Sequence, residues 1–91
     1  MIRSFRSKPL RDFFVDEDPR RISADLVERV RGRLQALHRA KTLDDLKLPG
    51  WRLHPLRTKP VRYAIAVNGP WRITFEWDDG DAARVDLEQY H

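Results

Sequence analysis

The sequence has no cysteine, no long apolar run and no glycine-rich loop, and each absence excludes a class of structure. Without cysteine the chain can form neither disulfide bonds nor thiolate metal sites, which fits a reducing interior. No run reaches the roughly 20 apolar residues of a membrane span. The start, MIRSFRSKPL, lacks the apolar core of a signal peptide, so we expect a cytoplasmic protein. No metal-ligand spacing or dinucleotide fingerprint is present, and we expect neither a metal nor a cofactor.

Acidic residues are absent from the middle of the chain, and this is more informative than the net charge of +4. Residues 46–75 contain six Lys/Arg and no Asp/Glu, whereas residues 76–91 contain one Arg and six acids. Segregation of this kind favours a polyanion as the ligand of the middle segment. The alternative is an ordinary solvated surface, because most charge runs are just that.

The heptad WRITFEW at residues 71–77 is the clearest strand pattern in the chain. Its four apolar residues fall on one face at period two, while Arg72, Thr74 and Glu76 fall on the other. The apolar face must be buried, because each such side chain gains roughly 1.5–3 kcal/mol on leaving water. The pattern therefore predicts Arg72 on the uncovered face of the sheet, which we interpret as a site for a phosphodiester.

The preceding stretch, residues 61–67, alternates in the same way around the small Ala64 and Ala66. Residues 68–70, Asn-Gly-Pro, predict a hairpin turn, since asparagine and glycine tolerate the positive φ that such turns often need. If the two strands pair, the alanines share a face with Arg72. That face is then a shallow, open floor with a cation in it.

Two weaker strand patterns flank this hairpin. Residues 51–54 alternate so that Arg52 and His54 share a face, and Pro55 predicts that the strand ends there or lies at a sheet edge. Residues 83–88 alternate after an acidic turn. The sheet is therefore expected to contain at least these flanking strands and the central hairpin.

Helical patterns come earlier in the chain. Ser7 can cap a first helix, and Ser23 a longer one that runs to about Ala40 with apolar residues near period 3.6. Thr42 and Asp45 resemble a short capping box. Arginines occupy the other faces of the longer helix, and we interpret them as solvated; the alternative is contact with RNA or a protein partner.

The order of elements is β-α-α-β-β-β, counting residues 2–5 as a short edge strand. Strands in series with short connections favour an antiparallel sheet, with both helices packed on one of its faces. The sequence therefore predicts a compact α+β fold. At 91 residues, we expect a single domain over residues 1–91.

Catalysis, if there is any, falls to His54, Tyr90, His91 and the arginines. RNA can be cut without a metal when its own 2′-hydroxyl attacks the adjacent phosphate, which needs a base, an acid and cations around the developing charge. Histidine titrates near neutrality and suits either proton role. Arginine stays protonated and can bind two phosphate oxygens. Against this, a strand histidine before proline is more often structural, and a terminal dipeptide is usually frayed.

Several stretches carry a resemblance to a known family: MIRSFRSKPLRDFF, RLQAL, LPGWRLHPLR, VNGPWRITFEW, DGDA and the closing EQYH. The chain resembles the HigB toxins, the plasmid maintenance killer branch of the RelE/ParE superfamily. The resemblance implies a microbial RNase-like fold and ribosome-dependent cleavage of mRNA in the decoding site. It also implies a HigA-type helix-turn-helix antitoxin, which would neutralise the toxin and connect it to operator DNA.

The resemblance also implies a catalytic set of His54, Arg57, Arg72, Tyr90 and His91. Arg72 and Arg57 would bind the scissile phosphate, and His91 or His54 would transfer the proton. Tyr90 would stack on a base or orient the ribose. We expect Arg57, Arg72 and the terminal imidazole to project into one water-accessible hollow.

Further RNA contacts are expected from the basic middle segment, at Arg52, Lys59 and Arg62. Two departures from the family pattern touch the mechanism. Gln89 stands where the family typically has an aspartate, and it cannot carry charge or accept a proton as a carboxylate does. Arg57 stands where a lysine is usual, and arginine does not deprotonate in proteins. We therefore predict attenuated rather than absent activity.

Two other functions remain open. A ParE-like gyrase inhibitor would share the scaffold and need no acid–base pair, and His54, Tyr90 and His91 argue against it. A degenerate toxin could persist only as an antitoxin-bound corepressor, and Gln89 is compatible with that reading.

Overall fold

Within residues 1–89, four antiparallel strands form one sheet in the order β1-β2-β3-β4. The strands are β1 (His54–Pro55), β2 (Arg62–Asn68), β3 (Trp71–Asp78) and β4 (Asp81–Gln89). This computed structural model describes residues 1–89. Predictions that concern Tyr90 and His91 fall outside the described residues.

Helix α1 (Lys8–Asp16) begins as the sequence predicts. The Ser7 Oγ accepts a hydrogen bond from the N–H of Leu10 at 3.2 Å, which satisfies one of the free N–H groups of the first turn. The capping box of Thr42 and Asp45 is confirmed as well. Within residues 1–89, no helix combines the length and the apolar character needed to cross a membrane.

Helix α2 (Val27–Arg39) begins later than predicted. The prediction that Ser23 caps it is wrong, because the Ser23 hydroxyl donates to the carboxylate of Asp25 at 2.5 Å and caps no N–H group. A 3-10 turn over Ala24–Leu26 precedes the α-helix instead. The hydroxyl is therefore already occupied by a neighbouring side chain.

The hydrophobic core lies between the two helices and one face of the sheet. Buried side chains from both layers form one cluster, which includes Leu10, Phe13, Val30, Leu34, Leu37, Ile65, Ile73, Phe75 and Val85. Burial of each contributes roughly 1.5–3 kcal/mol, so this face of the sheet is fixed against the helices. The prediction of an α+β fold with both helices on one face of an antiparallel sheet is confirmed.

The strand register places the small and basic residues on the opposite face, which we call the open face. Ala66 lies opposite Arg72, Ala64 lies opposite Thr74, and His54 lies opposite Ala64. Residues directly opposite each other in an antiparallel pair project from the same side of the sheet. The predicted sharing of a face by the alanines and Arg72 is therefore confirmed.

The first strand is shorter than the alternation of residues 51–54 predicts. Only His54 and Pro55 pair with β2. Arg52 has a left-handed φ of 52°, which interrupts the extended backbone, so the prediction that Arg52 and His54 share a strand face is wrong. Trp51 still approaches β2, because its carbonyl accepts from the N–H of Ala66 at 2.6 Å.

The amino-terminal segment lies beside β4, at the edge of the sheet where the sequence placed it. It pairs through two isolated parallel bridges, Ile2 with Ala82 and Phe5 with Val85. The Arg3 side chain adds ion pairs to Asp78 at 2.9 Å and Asp81 at 3.2 Å. These contacts cover an edge that would otherwise present unpaired backbone groups.

Candidate functional site

Arg72 lies at the start of β3, directly after the β2–β3 turn. Its Nη1 donates to the carbonyl of Gly69 at 2.6 Å and to that of Trp71 at 2.9 Å. Gly69 has a φ of 55°, which lets the turn present its carbonyl to the guanidinium. A guanidinium has five N–H donors, so these bonds orient Arg72 and leave donors for an anion.

Arg72 lines a cavity of about 260 Å³ together with two other arginines, Arg29 and Arg52. We call this cavity the arginine hollow; the β2–β3 turn and Gly50 complete its wall. No Asp or Glu in the described part of the chain lines it. Among residues 1–89, none of its three arginines forms an ion pair with a carboxylate. The hollow is therefore a concentration of positive charge that the described part of the chain does not neutralise.

Two arginines of α2 reach the carboxy-terminal end of β2. The Arg33 Nε donates to the carbonyl of Ala66 at 2.6 Å, and its guanidinium lies 4.8 Å from the centre of the Trp51 ring. The Arg29 Nη1 lies 3.4 Å from the carbonyl of Val67. Burial, and then the charge of Arg29, lower the pKa of Arg33 below its ordinary value. The interpretation of this side of the helix as solvated is wrong for Arg33, which is half-buried.

Arg62 does not stand free on the open face. Its Nη2 donates to Thr74 Oγ1 at 2.5 Å and forms an ion pair with Glu88, and the Thr74 hydroxyl also bonds to the Glu88 carboxylate. Thr74 and Ala64 are fully buried, so the prediction of an open floor is wrong at Ala64, which lies under the Arg62–Glu88 pair. The side chain of Arg62 therefore crosses the open face, and the guanidinium predicted to contact RNA is engaged by an internal carboxylate.

Glu88 is a site residue that sequence reasoning missed. Partial burial is the largest influence on it and would raise its pKa, but hydrogen bonds from Thr74 and Arg62, together with the positive charges of Arg62 and Arg6, lower the pKa below its ordinary value of 4.5. It is therefore ionised at neutral pH, which makes it a counter-charge for Arg62 and a poor proton acceptor.

His54 is exposed on the short edge strand β1. Its Nδ1 lies 2.8 Å from the carbonyl oxygen of Arg52. A carbonyl only accepts, so Nδ1 carries the proton, and in the neutral ring Nε2 is the nitrogen that can accept one. Two strand spacings, about 10 Å, separate His54 from the backbone of β3, and both His54 and Arg72 project from the open face.

Arg57 and Lys59 are exposed in the loop between β1 and β2. The hydroxyl of Thr58 anchors this loop, because it accepts from the N–H of Arg62 at 3.0 Å and donates to the carbonyl of Pro60 at 2.9 Å. The cavity that Arg72 lines does not include Arg57, contrary to the hollow expected from the sequence. The structure thus brings together Arg52 and Arg72, keeps His54 on the open face, and adds an unexpected arginine from α2.

Two similarities to known proteins identify the family. A family model of HigB-like toxins, described as the RelE-like toxin of the type II toxin–antitoxin system HigB, matches residues 3–91. The chain is 37% identical over 92 residues to the endoribonuclease HigB of Proteus vulgaris, and the match covers 100% of each chain. These findings confirm the resemblance carried by the motifs. The chain therefore belongs to the HigB-like family of RelE-like toxins of type II toxin–antitoxin systems.

Proposed function

We propose that this toxin is an endoribonuclease that cleaves mRNA on the ribosome by attack of the RNA's own 2′-hydroxyl, without a metal. The observation that carries the proposal is the open face. It presents an oriented, unneutralised guanidinium at Arg72 and a histidine, His54, whose Nδ1 is held so that Nε2 can exchange a proton. The name of the Proteus vulgaris relative, an endoribonuclease, supports the same activity.

In the proposed reaction, a base takes the proton of the 2′-hydroxyl, and the 2′-oxygen forms a bond to the adjacent phosphorus. The bond from phosphorus to the 5′-oxygen then breaks, and an acid protonates that oxygen. The products are a 2′,3′-cyclic phosphate and a 5′-hydroxyl. Arg72 stabilises the charge that develops on the phosphate oxygens, since its guanidinium keeps N–H donors that the carbonyls of Gly69 and Trp71 do not use.

The proton roles fall to His54 and to His91, which lies outside the described residues. Arg57 adds positive charge from the β1–β2 loop, and Tyr90 stacks on a base or orients the ribose. Arg52 and Lys59 contact the RNA backbone. Arg62 forms an ion pair with Glu88, so its guanidinium can bind a phosphate only after it separates from that carboxylate. Its proposed role is therefore an RNA contact that competes with Glu88.

The departures from the family pattern support an attenuated activity. Gln89 is exposed at the end of β4 and carries no charge. Its neighbour Glu88 is a carboxylate on the open face, but its lowered pKa and its bond to Arg62 make it unsuitable as the base. We propose that no described carboxylate substitutes for the aspartate that is typical of the family.

Membership of a type II system means that the partner is an antitoxin. We propose that this antitoxin is a HigA-type helix-turn-helix protein, which neutralises the toxin and connects it to operator DNA. The other proposed partners are the ribosomal decoding site and the mRNA in it. The proposed location is the cytoplasm, where ribosomes translate mRNA.

Primer extension on a reporter mRNA after induction tests the function. The unmodified toxin should cut within codons, and Arg72→Ala should not; Arg21→Ala, an exposed arginine of the α1–α2 loop, is the control. Equal cutting by Arg72→Ala would remove Arg72 from the mechanism.

Gyrase–DNA cleavage complexes without mRNA cutting would support the ParE-like alternative. Absence of growth arrest with intact antitoxin binding would support the corepressor alternative.

A further inference from the structure

Three separate elements contribute the guanidinium groups of the arginine hollow. Arg29 comes from α2, Arg52 from the segment before β1, and Arg72 from β3. We propose that the arginine hollow holds a second phosphate subsite, in which Arg29 and Arg52 bind the backbone phosphate of the single-stranded RNA next to the scissile one that Arg72 contacts, and that Arg29 is the outer contact. The inference rests on the proposed function, because it concerns the same RNA strand.

The position of the hollow supports a continuous path for RNA. Strand β1 pairs with β2 only at Tyr63 and Ala64. Beyond that point the backbone of β2 bonds to the Trp51 carbonyl and to arginine side chains of α2. The hollow lies at this end of β2, where Ala66 and the β2–β3 turn meet α2. An RNA strand that crosses the open face can therefore continue around the edge of the sheet toward Arg29.

The chemistry of the lining selects a small anion. A cavity of about 260 Å³ is smaller than the roughly 300–1,000 Å³ found for drug-sized ligands. Its lining combines guanidinium groups, exposed turn backbone and the side chain of Asn68, all of which can donate hydrogen bonds. Guanidinium groups bind phosphate oxygens in pairs of parallel bonds, so a phosphodiester matches this donor set.

The arginines around the hollow are held close together although they repel one another. The Arg33 Nη1 lies 3.4 Å from the carbonyl of Arg29, and the charge of Arg29 contributes to the lowered pKa of Arg33. Arg33 is fixed by Ala66 and Trp51, and the carbonyl of Val67 accepts from the Arg29 guanidinium at the hollow. Like charges held in this way favour the binding of an anion, which reduces their repulsion.

The test is binding of the purified full chain to a fluorescent 2′-O-methyl oligoribonucleotide, which has no 2′-hydroxyl and cannot be cleaved. Arg29→Ala should bind roughly tenfold more weakly at 50 mM salt, since it loses charge-assisted hydrogen bonds. Its log–log salt slope should be shallower by about 0.7, the share of one phosphate contact on a single strand. Arg29→Glu should bind still more weakly, and Arg29→Lys should recover part of the affinity.

Arg39→Ala is the matched control, because it removes the same charge from the exposed end of the same helix, outside the hollow. Thermal melting verifies that the variants are folded. Equal affinity and salt slope for Arg29→Ala and Arg39→Ala would overturn the subsite. An effect of Arg29→Ala on the binding of inorganic phosphate, with no effect on the binding of the oligonucleotide, would also overturn it, because the hollow would then be a site for a free anion. Cleavage of reporter mRNA is scored separately, so loss of the subsite leaves the proposed nuclease activity standing.

Discussion

Glu88 lies directly opposite Arg72 across β3 and β4, yet its carboxylate pairs with Arg62, which is two strands away on β2. The hydroxyl of Thr74, on the strand between them, bonds to both partners. This diagonal pairing satisfies the carboxylate without using Arg72. The Arg72 guanidinium is therefore oriented by two backbone carbonyls instead of a carboxylate, and it can bind a phosphate on the open face.

Glu88→Gln should increase RNA affinity while it weakens the fold. The amide no longer neutralises Arg62, so this guanidinium becomes an additional phosphate contact and the log–log salt slope steepens by about 0.7. The free energy of unfolding should fall by about 1–2 kcal/mol with the loss of charge-assisted hydrogen bonds. Binding to a 2′-O-methyl oligoribonucleotide and urea denaturation measure the two effects.

Glu28→Gln is the control for that substitution, since it removes the same charge from an exposed position on α2. It should leave the salt slope unchanged. If Glu88→Gln and Glu28→Gln bind RNA equally well, the carboxylate of Glu88 does not compete with RNA for Arg62.

The Arg62–Glu88 ion pair should make stability depend on pH in acid. The pKa of Glu88 is lowered in the folded state. The pair therefore stabilises the fold fully at pH values above 4.5, the ordinary pKa of a glutamate carboxyl. That contribution is lost as the pH falls through the lower, folded-state pKa. The difference in unfolding free energy between the unmodified chain and Glu88→Gln should therefore be largest at neutral pH and shrink in acid. A difference that stays constant with pH would contradict the assignment.

Thr74→Val should destabilise the fold by about 1–2 kcal/mol, although it conserves volume. The buried hydroxyl accepts from Arg62 and donates to Glu88, so a methyl group leaves both partners with an unmet hydrogen bond. Thr74→Ser keeps the hydroxyl and should retain most of the network. Chemical denaturation of the two variants distinguishes the hydrogen-bond network from simple packing. A larger loss of unfolding free energy for Thr74→Ser than for Thr74→Val would exclude the network as the cause.

His54→Ala should lower the rate of mRNA cleavage by roughly 10²–10⁴-fold, the usual contribution of a general acid or base. Binding of the uncleavable oligonucleotide should change little by comparison, because the backbone contacts come from arginines. Single-turnover cleavage and equilibrium binding measure the two quantities. A loss of binding that accounts for the whole loss of cleavage would make His54 a binding residue.

The sequence predicts those features of the site that depend on local alternation. The period of residues 71–77 alone places Arg72 on the open face, because the apolar side of β3 must be buried. The start of helix α1 is also predictable, because the cap that Ser7 provides forms within one turn of the helix. In both cases the deciding interaction lies within a few residues of the chain.

The features that the sequence does not predict depend on long-range geometry. Arg62 and Glu88 are 26 residues apart, and their pairing requires the register of three strands. Arg52 leaves the expected strand because of one left-handed residue, for which side-chain alternation gives no signal. Arg29 reaches the hollow because α2 packs against β2. The spacing of Arg29 and Arg33, four residues apart on one side of the helix, was the available hint.

The most direct test of the central claim is single-turnover cleavage of mRNA on purified ribosomes by the unmodified toxin and by Arg72→Ala. If Arg72 stabilises the charge on the scissile phosphate, its removal should slow cleavage by about 10²–10³-fold, as loss of one preorganised donor to a developing anion does. Arg21→Ala should cleave at the unmodified rate. Equal rates for Arg72→Ala and the unmodified toxin would contradict the assignment of the open face as the active surface.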